Sequence, residues 1–132
     1  MNGVVIKSTG SWYLVRTEDA AIHKCRIRGK FRLEGIKSTN PVAVGDHVDF
    51  ELETQKDTGI ITSIHERTNY VVRKSVNLSK RTHIIASNID RAFLVVTIDN
   101  PPTSTSFIDR FLVASEAYHI PVTLLFNKVD SF

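Results

Sequence analysis

Glycine is confined to the first part of this sequence: all six glycines occur by Gly59, and residues 60 to 132 contain none. Short apolar stretches separated by glycine-, proline- and asparagine-containing turns fill residues 1 to about 70, which is typical of an all-β domain. In the stretch HVDFELE, Val48, Phe50 and Leu52 alternate with polar residues, so we expect them on one face of a strand. The pattern predicts a small closed β-barrel or sandwich over residues 1 to 70.

The second part of the chain has a different pattern. The continuous apolar runs AFLVVTI (92 to 98) and PVTLLF (121 to 126) are typical of strands buried on both faces. Between them, apolar residues recur at helical spacing, and Ser106 with Asp109 has the form of a capping box, which predicts a helix start near Ser106. Strand, helix and strand make a βαβ unit with a parallel pair over residues 92 to 132. Residues 71 to 91 are predicted to join the two domains.

Composition narrows the class of protein. The apolar fraction of 42% is ordinary for a globular chain, and no apolar run approaches the roughly 20 residues that span a bilayer. The N-terminus lacks a cleavable signal, and Cys25 is the only cysteine, so no internal disulfide can form. These features predict a cytoplasmic protein with no membrane partner.

The apolar run 122 to 126 is followed by Asn127-Lys128-Val129-Asp130, which has the form N-K-x-D. Ligands of a parallel sheet bind outside the carboxyl ends of its strands, which is where this segment lies. A carboxylate at Asp130 can accept two parallel hydrogen bonds from the N–H edge of guanine, an edge that adenine lacks. The Lys128 stem can lie across the base, and the Asn127 amide can bond the base and the loop. The alternative is an ordinary polar turn after a strand.

Positive charge is concentrated on one predicted strand, HKCRIRGKFRL. Alternate positions place its cations on one face, roughly 6.6 Å apart. A row of cations on one face of a small β-barrel can follow the phosphates of an RNA strand. The five candidates for this contact are Lys24, Arg26, Arg28, Lys30 and Arg32. Trp12, Tyr13 and Phe31 are candidates for base stacking or for the core. The alternative is a solvated strand face. A second basic stretch, from 67 to 81, adds Arg73 and Lys74 as candidates.

A GTPase also needs a phosphate loop of the form G-x-x-x-x-G-K-S/T, and this sequence has none. Either the N-K-x-D match is accidental, or the GTPase elements are permuted and the phosphate loop lies downstream.

Several further motifs resemble one known family. Arg28-Gly29-Lys30, Val44-Gly45-Asp46-x-Val48, I-A-S-N-I-D (85 to 90), F-I-D-R-F-L-V (107 to 113) and F-N-K-V-D (126 to 130) occur together and in order. The chain is similar over its whole length to the bacterial ribosome-small-subunit-dependent GTPase A family, whose members are circularly permuted GTPases. The resemblance implies an OB-fold first, then a permuted GTPase domain, with this chain as the front portion of such a protein.

The resemblance also implies an activity and partners. It implies GTP hydrolysis in late maturation of the 30S subunit, with GTP and GDP as ligands and 16S rRNA bound through the OB-fold by a monomeric protein. Mg and Zn are implied for the family, with ligands outside this chain, and no catalytic residue is predicted within it. The 132 residues alone are therefore expected to be inactive. The competing hypothesis is a stand-alone OB-fold RNA-binding module without nucleotide chemistry.

Overall fold

The computed structural model describes residues 1 to 27, 41 to 74 and 82 to 131. The chain divides into two compact units, Met1–Asn88 and Ile89–Phe132. We call the first the barrel unit and the second the βαβ unit. No helix in the described part of the chain is long and apolar enough to cross a membrane.

Five strands of the barrel unit close into a barrel in the order β1-β2-β3-β5-β4. Their bounds are β1 Asn2–Ser8, β2 Tyr13–Arg16, β3 Ile22–Ile27, β4 His47–Leu52 and β5 Thr58–Ile64. β3 and β5 run parallel, and the other pairs, including the closing pair β1 and β4, are antiparallel. The predicted OB-like barrel is confirmed, and it has five strands.

The barrel interior is filled by side chains from alternate strand positions and by Val42, which precedes β4. The buried cluster consists of Val5, Tyr13, Val15, Cys25, Val42, Val48, Phe50 and Ile61. Leu52, predicted to lie on the same face of β4 as Val48 and Phe50, ends the strand and is 49% exposed. Burial raises the pKa of the Cys25 thiol to about 11, so Cys25 packs as a neutral apolar group.

A β-hairpin follows the barrel strands. β6 Tyr70–Lys74 pairs antiparallel with β7 Thr82–Ser87, within the stretch that the sequence analysis treats as a join. An isolated parallel bridge joins Ala86 of the hairpin to Val44, and the Ser87 amide donates to the Val44 carbonyl at 2.8 Å. The hairpin thus belongs to the barrel unit, while the domain limits at 70, 71 to 91 and 92 stay a prediction.

A buried ion pair holds the hairpin and the barrel together. Asp46 is fully buried, and the Arg67 guanidinium donates to both its carboxylate oxygens at 2.7 Å. The Ala43 amide donates to the same carboxylate at 2.8 Å, and the Ser87 hydroxyl, on β7, donates to it as well. Arg67 also donates to the Pro41 carbonyl at 3.0 Å. Burial by itself raises the pKa of Asp46, but these hydrogen bonds outweigh it and leave that pKa below its ordinary value.

Position 45, next to Asp46 in the chain, requires a glycine because of its backbone conformation and because β7 approaches it closely. Its φ is +97°, and a Cβ built there would lie 2.0 Å from the Ser87 carbonyl oxygen. The glycine therefore permits the close approach between the 42 to 46 turn and β7.

In the βαβ unit, β8 Ala92–Val96 and β9 Val122–Phe126 form a parallel pair, and the helix α1 Thr105–Ala117 lies between them in sequence. The helix begins one residue from the predicted start near Ser106, but the capping residue is not Ser106. Ser104 is the N-cap, because its hydroxyl accepts from the Phe107 amide at 3.4 Å.

The two strands are not buried on both faces among the described residues, contrary to prediction. Leu94 and Val96 are buried, whereas Phe93, Val95 and Leu125 are 60%, 57% and 45% exposed. The continuous apolar run therefore alternates between a covered and an open face, because nothing in the described part of this unit packs on the second face.

Replacing Asp46 with Asn tests the buried ion pair. The variant leaves the Arg67 charge without its partner, so we expect the free energy of unfolding of the barrel unit to fall by about 3–5 kcal/mol. Urea unfolding followed by the fluorescence of Trp12, the single tryptophan of this chain, measures it. Asp57→Asn, in the exposed turn after β4, is the control. Equal stabilities of the two variants would contradict the assignment.

The wild type and Asp46→Asn together test how the free energy of unfolding depends on pH. The pKa of Asp46 is lowered in the folded state, so its contribution is present above the unfolded value of about 3.9 and is lost as pH falls through the folded value. We expect the wild type to lose more stability than Asp46→Asn between about pH 5 and pH 2.

The matched pair Gly45→Ala and Gly10→Ala separates backbone strain from collision. Both glycines have φ above +90°, but nothing lies within 4 Å of a Cβ at Gly10. We expect Gly10→Ala to cost about 1–2 kcal/mol and Gly45→Ala clearly more, by urea unfolding. If Gly45→Ala is as stable as Gly10→Ala, the close approach of β7 to the turn does not restrict the side chain at position 45.

Candidate guanine-binding loop and RNA-binding strand

The N-K-x-D residues form a loop directly after β9, which we call the guanine loop (residues 127 to 130). The backbone amide of Asn127, the first residue of the loop, donates to the Val96 carbonyl at 2.9 Å. This hydrogen bond extends the pairing of β8 with β9. Because the two strands are parallel, the segments that follow them emerge at the same edge of the sheet.

Lys128 ties these two segments together. Its backbone takes the left-handed conformation, with φ at +58°, and its ammonium donates to the Asn100 carbonyl at 2.8 Å. The charge is therefore held at the loop after β8, and the aliphatic stem lies between that charge and the guanine loop. The covering of a base by this stem stays a prediction.

Asp130 lies in the first turn of a short 3₁₀ helix, Val129–Ser131. Its side chain is exposed, as are those of Asn127 and Lys128. The structure thus brings the three predicted guanine-binding residues together in one loop at the carboxyl edge of the sheet. An exposed carboxylate on a short helical turn can accept two parallel N–H donors from a ligand.

The described part of the predicted basic strand is β3. Lys24 and Arg26 are exposed and Cys25 between them is fully buried, so the predicted alternation holds over these positions. Arg28, Lys30, Arg32 and Phe31 lie outside the described residues. Arg73 and Lys74 lie on β6, where their backbones pair with His83 and Thr82, and their side chains are not among those described.

Arg26 faces an acid, which the sequence analysis did not foresee. Its guanidinium forms an ion pair with Glu53, and its Nε donates to Glu53 Oε1 at 3.1 Å. Glu53 also accepts from the Thr58 hydroxyl, and the hydrogen bonds from Thr58 and Arg26 lower the pKa of Glu53. Much of the charge of Arg26 is therefore already compensated.

Lys24 has a different neighbour. Its ammonium lies 4.5 Å from the centre of the Trp12 ring, within the range of a cation–π contact. Of the aromatic candidates, Tyr13 is fully buried in the barrel core, whereas Trp12 is only partly buried. Trp12 is thus the described candidate that remains available for stacking.

The described residues do not fit a metal site. Within the ranges that the structure covers, no three His, Cys, Asp or Glu side chains come together in a group that could hold a metal ion. No role for Mg or Zn is therefore derived from these residues.

Comparison with protein families decides the relationship. Residues 2 to 61 match the family described as RsgA N-terminal domain, and residues 64 to 132 match the family described as RsgA GTPase. The chain belongs to the RsgA family. The resemblance found in the motifs is confirmed, and so is the expected order of an OB-like barrel followed by the start of the GTPase domain.

Curated RsgA proteins are close in sequence. The chain is 65% identical to the small ribosomal subunit biogenesis GTPase RsgA of Christiangramia forsetii and 66% identical to that of Flavobacterium johnsoniae. These matches cover 100% and 99% of this chain, and 42% and 41% of the relatives. The chain therefore spans less than half the length of the curated RsgA proteins it matches.

Two solved structures are similar to the chain. One is YloQ, described as a circularly permuted GTPase, with 34% identity and a TM-score of 0.68. The other is YjeQ from Thermotoga maritima, with 30% identity and a TM-score of 0.71. Each match covers 99% of this chain and 42% of the solved chain.

Sequence reasoning missed two partners of the candidate residues in this RsgA chain. The Asn100 carbonyl holds Lys128, and Glu53 neutralises Arg26. Asn100 carried a weak signal, because it follows the strand parallel to β9 and therefore lies at the same edge. Glu53 carried none, because its approach to Arg26 depends on the pairing of β3 with β5.

Proposed function

We propose that this chain forms the first part of a cytoplasmic, monomeric GTPase that binds and hydrolyses GTP during late maturation of the 30S subunit. In this proposal the guanine loop recognises the base of GTP and GDP, and the barrel contacts 16S rRNA. The observation that carries it is the guanine loop, in which Lys128 bridges to Asn100 and Asp130 is exposed at the carboxyl edge of a parallel sheet. Membership of the RsgA family supports the same reading.

Guanine recognition follows from the chemistry of the loop. Asp130 offers two acceptor oxygens to the paired N–H donors of guanine, and adenine has no such pair. Lys128 is fixed at its ammonium by Asn100, so its apolar stem can cover one face of the base with little further loss of side-chain freedom. Asn127 is anchored to β8 through its own amide, which sets the start of the loop.

Hydrolysis requires groups that this sequence does not contain. Base contacts alone leave the triphosphate solvated, because no phosphate loop occurs in the 132 residues. We therefore assign GTP hydrolysis to a complete protein of RsgA length and expect none from these residues alone.

RNA binding is supported by the outward cations of β3. Lys24 and Arg26 lie on the outer surface of an OB-like barrel, a fold that binds nucleic acids through basic surfaces with exposed aromatic residues. The five strands close the barrel without a strand from the βαβ unit. This closure also supports the second candidate function, an RNA-binding module without nucleotide chemistry.

Replacing Asp130 with Asn in the complete protein tests the guanine assignment. An amide accepts one hydrogen bond and donates another, so GTP should bind at least about 10-fold more weakly. Xanthosine triphosphate, which has an acceptor in place of the guanine amino group, should bind the variant better than it binds the wild type. Titration with labelled nucleotides measures both.

Asp109→Asn, on the exposed surface of α1, is the matched control and should bind both nucleotides like the wild type. Phosphate release from GTP should be absent from the 132-residue chain and present in the complete protein. Unchanged affinity and base preference in Asp130→Asn would leave the second candidate as the better account.

Lys24→Gln and Arg26→Gln form a matched pair for the RNA assignment. For single-stranded RNA each phosphate contact contributes about 0.7 to the log–log salt slope, so Lys24→Gln should make the slope shallower by about that amount. Arg26→Gln should change it less, because Glu53 already compensates Arg26. Salt titrations of binding to isolated 30S subunits measure the slopes. Equal slopes in all three proteins would show that this face is only a solvated surface.

A further inference from the structure

A row of paired residues crosses the outer face of the barrel from β1 to β5. Lys7 pairs with Leu14, Leu14 with Lys24, and Lys24 with Thr58. Side chains at paired positions share a face of the sheet, and their neighbours Tyr13, Cys25 and Gly59 are buried, so this row points outward. We call Lys7, Leu14, Lys24 and Thr58 the lysine row. Its members include two cations, and the Thr58 hydroxyl at its end donates to Glu53, the partner of Arg26.

Trp12 lies beside the lysine row. It precedes β2 and lies two positions before Leu14, and its ring is the group over which the Lys24 ammonium is held. An aromatic ring thus lies next to a cation on the outer face of the barrel.

The backbone at Trp12 is fixed by a tight turn. The Thr9 amide donates to the Trp12 carbonyl at 3.0 Å, and the Trp12 amide donates to the Thr9 hydroxyl oxygen at 3.2 Å. The Thr9 hydroxyl also donates to the Trp12 carbonyl at 3.1 Å. Three hydrogen bonds within four residues hold the backbone of Trp12 before any ligand arrives, which reduces the entropy lost on binding.

We propose that Trp12 stacks on an unpaired base of single-stranded RNA while Lys7 and Lys24 contact phosphates on either side of that nucleotide. The proposal rests on the proposed RNA-binding function and identifies Trp12 as the residue that stacks on the base. Phosphate contacts position a strand, and a ring that stacks on a base distinguishes a single strand from a duplex, whose bases present only their edges.

Lys24 gives up its contact with Trp12 when the base arrives. An exposed cation–π contact is weak compared with the stacking of a nucleobase on an aromatic side chain, so the exchange favours the base. The released ammonium then remains close to the strand, where a phosphate replaces the ring as its partner. In the free protein, the Lys24 ammonium lies over the ring.

Fluorescence of the 132-residue chain tests the stacking directly, because Trp12 is its single tryptophan. A 12-nucleotide single-stranded RNA of mixed sequence should quench this fluorescence, and the same RNA annealed to its complement should quench it much less. Affinities are measured separately with an end-labelled RNA, so that variants without tryptophan can be compared.

Four variants separate stacking from other roles of the ring. Trp12→Phe should bind the single strand within about 3-fold of the wild type, and Trp12→Leu, which keeps apolar bulk, should bind about 10-fold more weakly. Lys24→Gln should bind more weakly with a shallower salt slope. Ile22→Ala, which removes an exposed apolar side chain of β3 outside the row, should bind like the wild type. Circular dichroism and thermal melting confirm that each variant folds.

The outcomes separate this inference from the function on which it rests. If the wild type binds with a clear salt dependence but Trp12→Phe and Trp12→Leu bind equally well, stacking is overturned and RNA binding stands. Quenching by the duplex as strong as by the single strand also overturns it. If the wild type binds neither the RNA nor 30S subunits, the proposed RNA-binding function itself fails.

Discussion

The buried pair of Asp46 and Arg67 is the interaction on which the barrel unit depends. A carboxylate with no exposed surface is tolerable only when its oxygens are fully hydrogen-bonded, and here Arg67, Ala43 and Ser87 supply the donors. These donors come from three separate stretches of the chain. Satisfying one charge therefore fixes the turn before β4, the segment after β5 and the end of the hairpin relative to one another.

This arrangement explains why the compact unit extends to Asn88 and not to the end of β5. The Asn88 amide group donates to the Gly45 carbonyl at 2.9 Å, and its side-chain oxygen accepts from the Thr68 amide at 2.8 Å. The hairpin is thus bound to the turn at Gly45 through backbone, side-chain and charged groups. The two family matches meet earlier in the chain, between residues 61 and 64. The boundary between the families therefore does not coincide with the boundary between the compact units, which follows Asn88.

Both candidate sites use side chains held by a scaffold that is not itself part of the chemistry. The guanine loop is positioned by the pairing of two parallel strands and by one lysine bond to a neighbouring carbonyl. Trp12 is positioned by a threonine turn and by the register between β2 and β3. In each case the functional group is at least partly exposed while its backbone is hydrogen-bonded, a combination that lowers the entropy lost on binding and leaves the group accessible to its ligand.

The sequence by itself determined the fold class, the order of the two units and the position of the guanine loop. These follow from local signals: glycine turns, alternation at Val48 and Phe50, an apolar run before Asn127, and a motif whose chemistry needs only a few consecutive residues. The helix start was predicted to within one residue, but the cap was not, because two serines near 105 offer competing caps and local pattern does not choose between them.

Only the tertiary structure decided which cations share a face with an acid and which share a face with an aromatic ring. Lys24 and Arg26 are equivalent in the sequence, two positions apart on one strand, yet one lies over Trp12 and the other is paired with Glu53. The difference arises from strand register and from the closure of the barrel, which bring together residues up to 27 positions apart. Such pairings depend on long-range geometry, and no local pattern of residues encodes them.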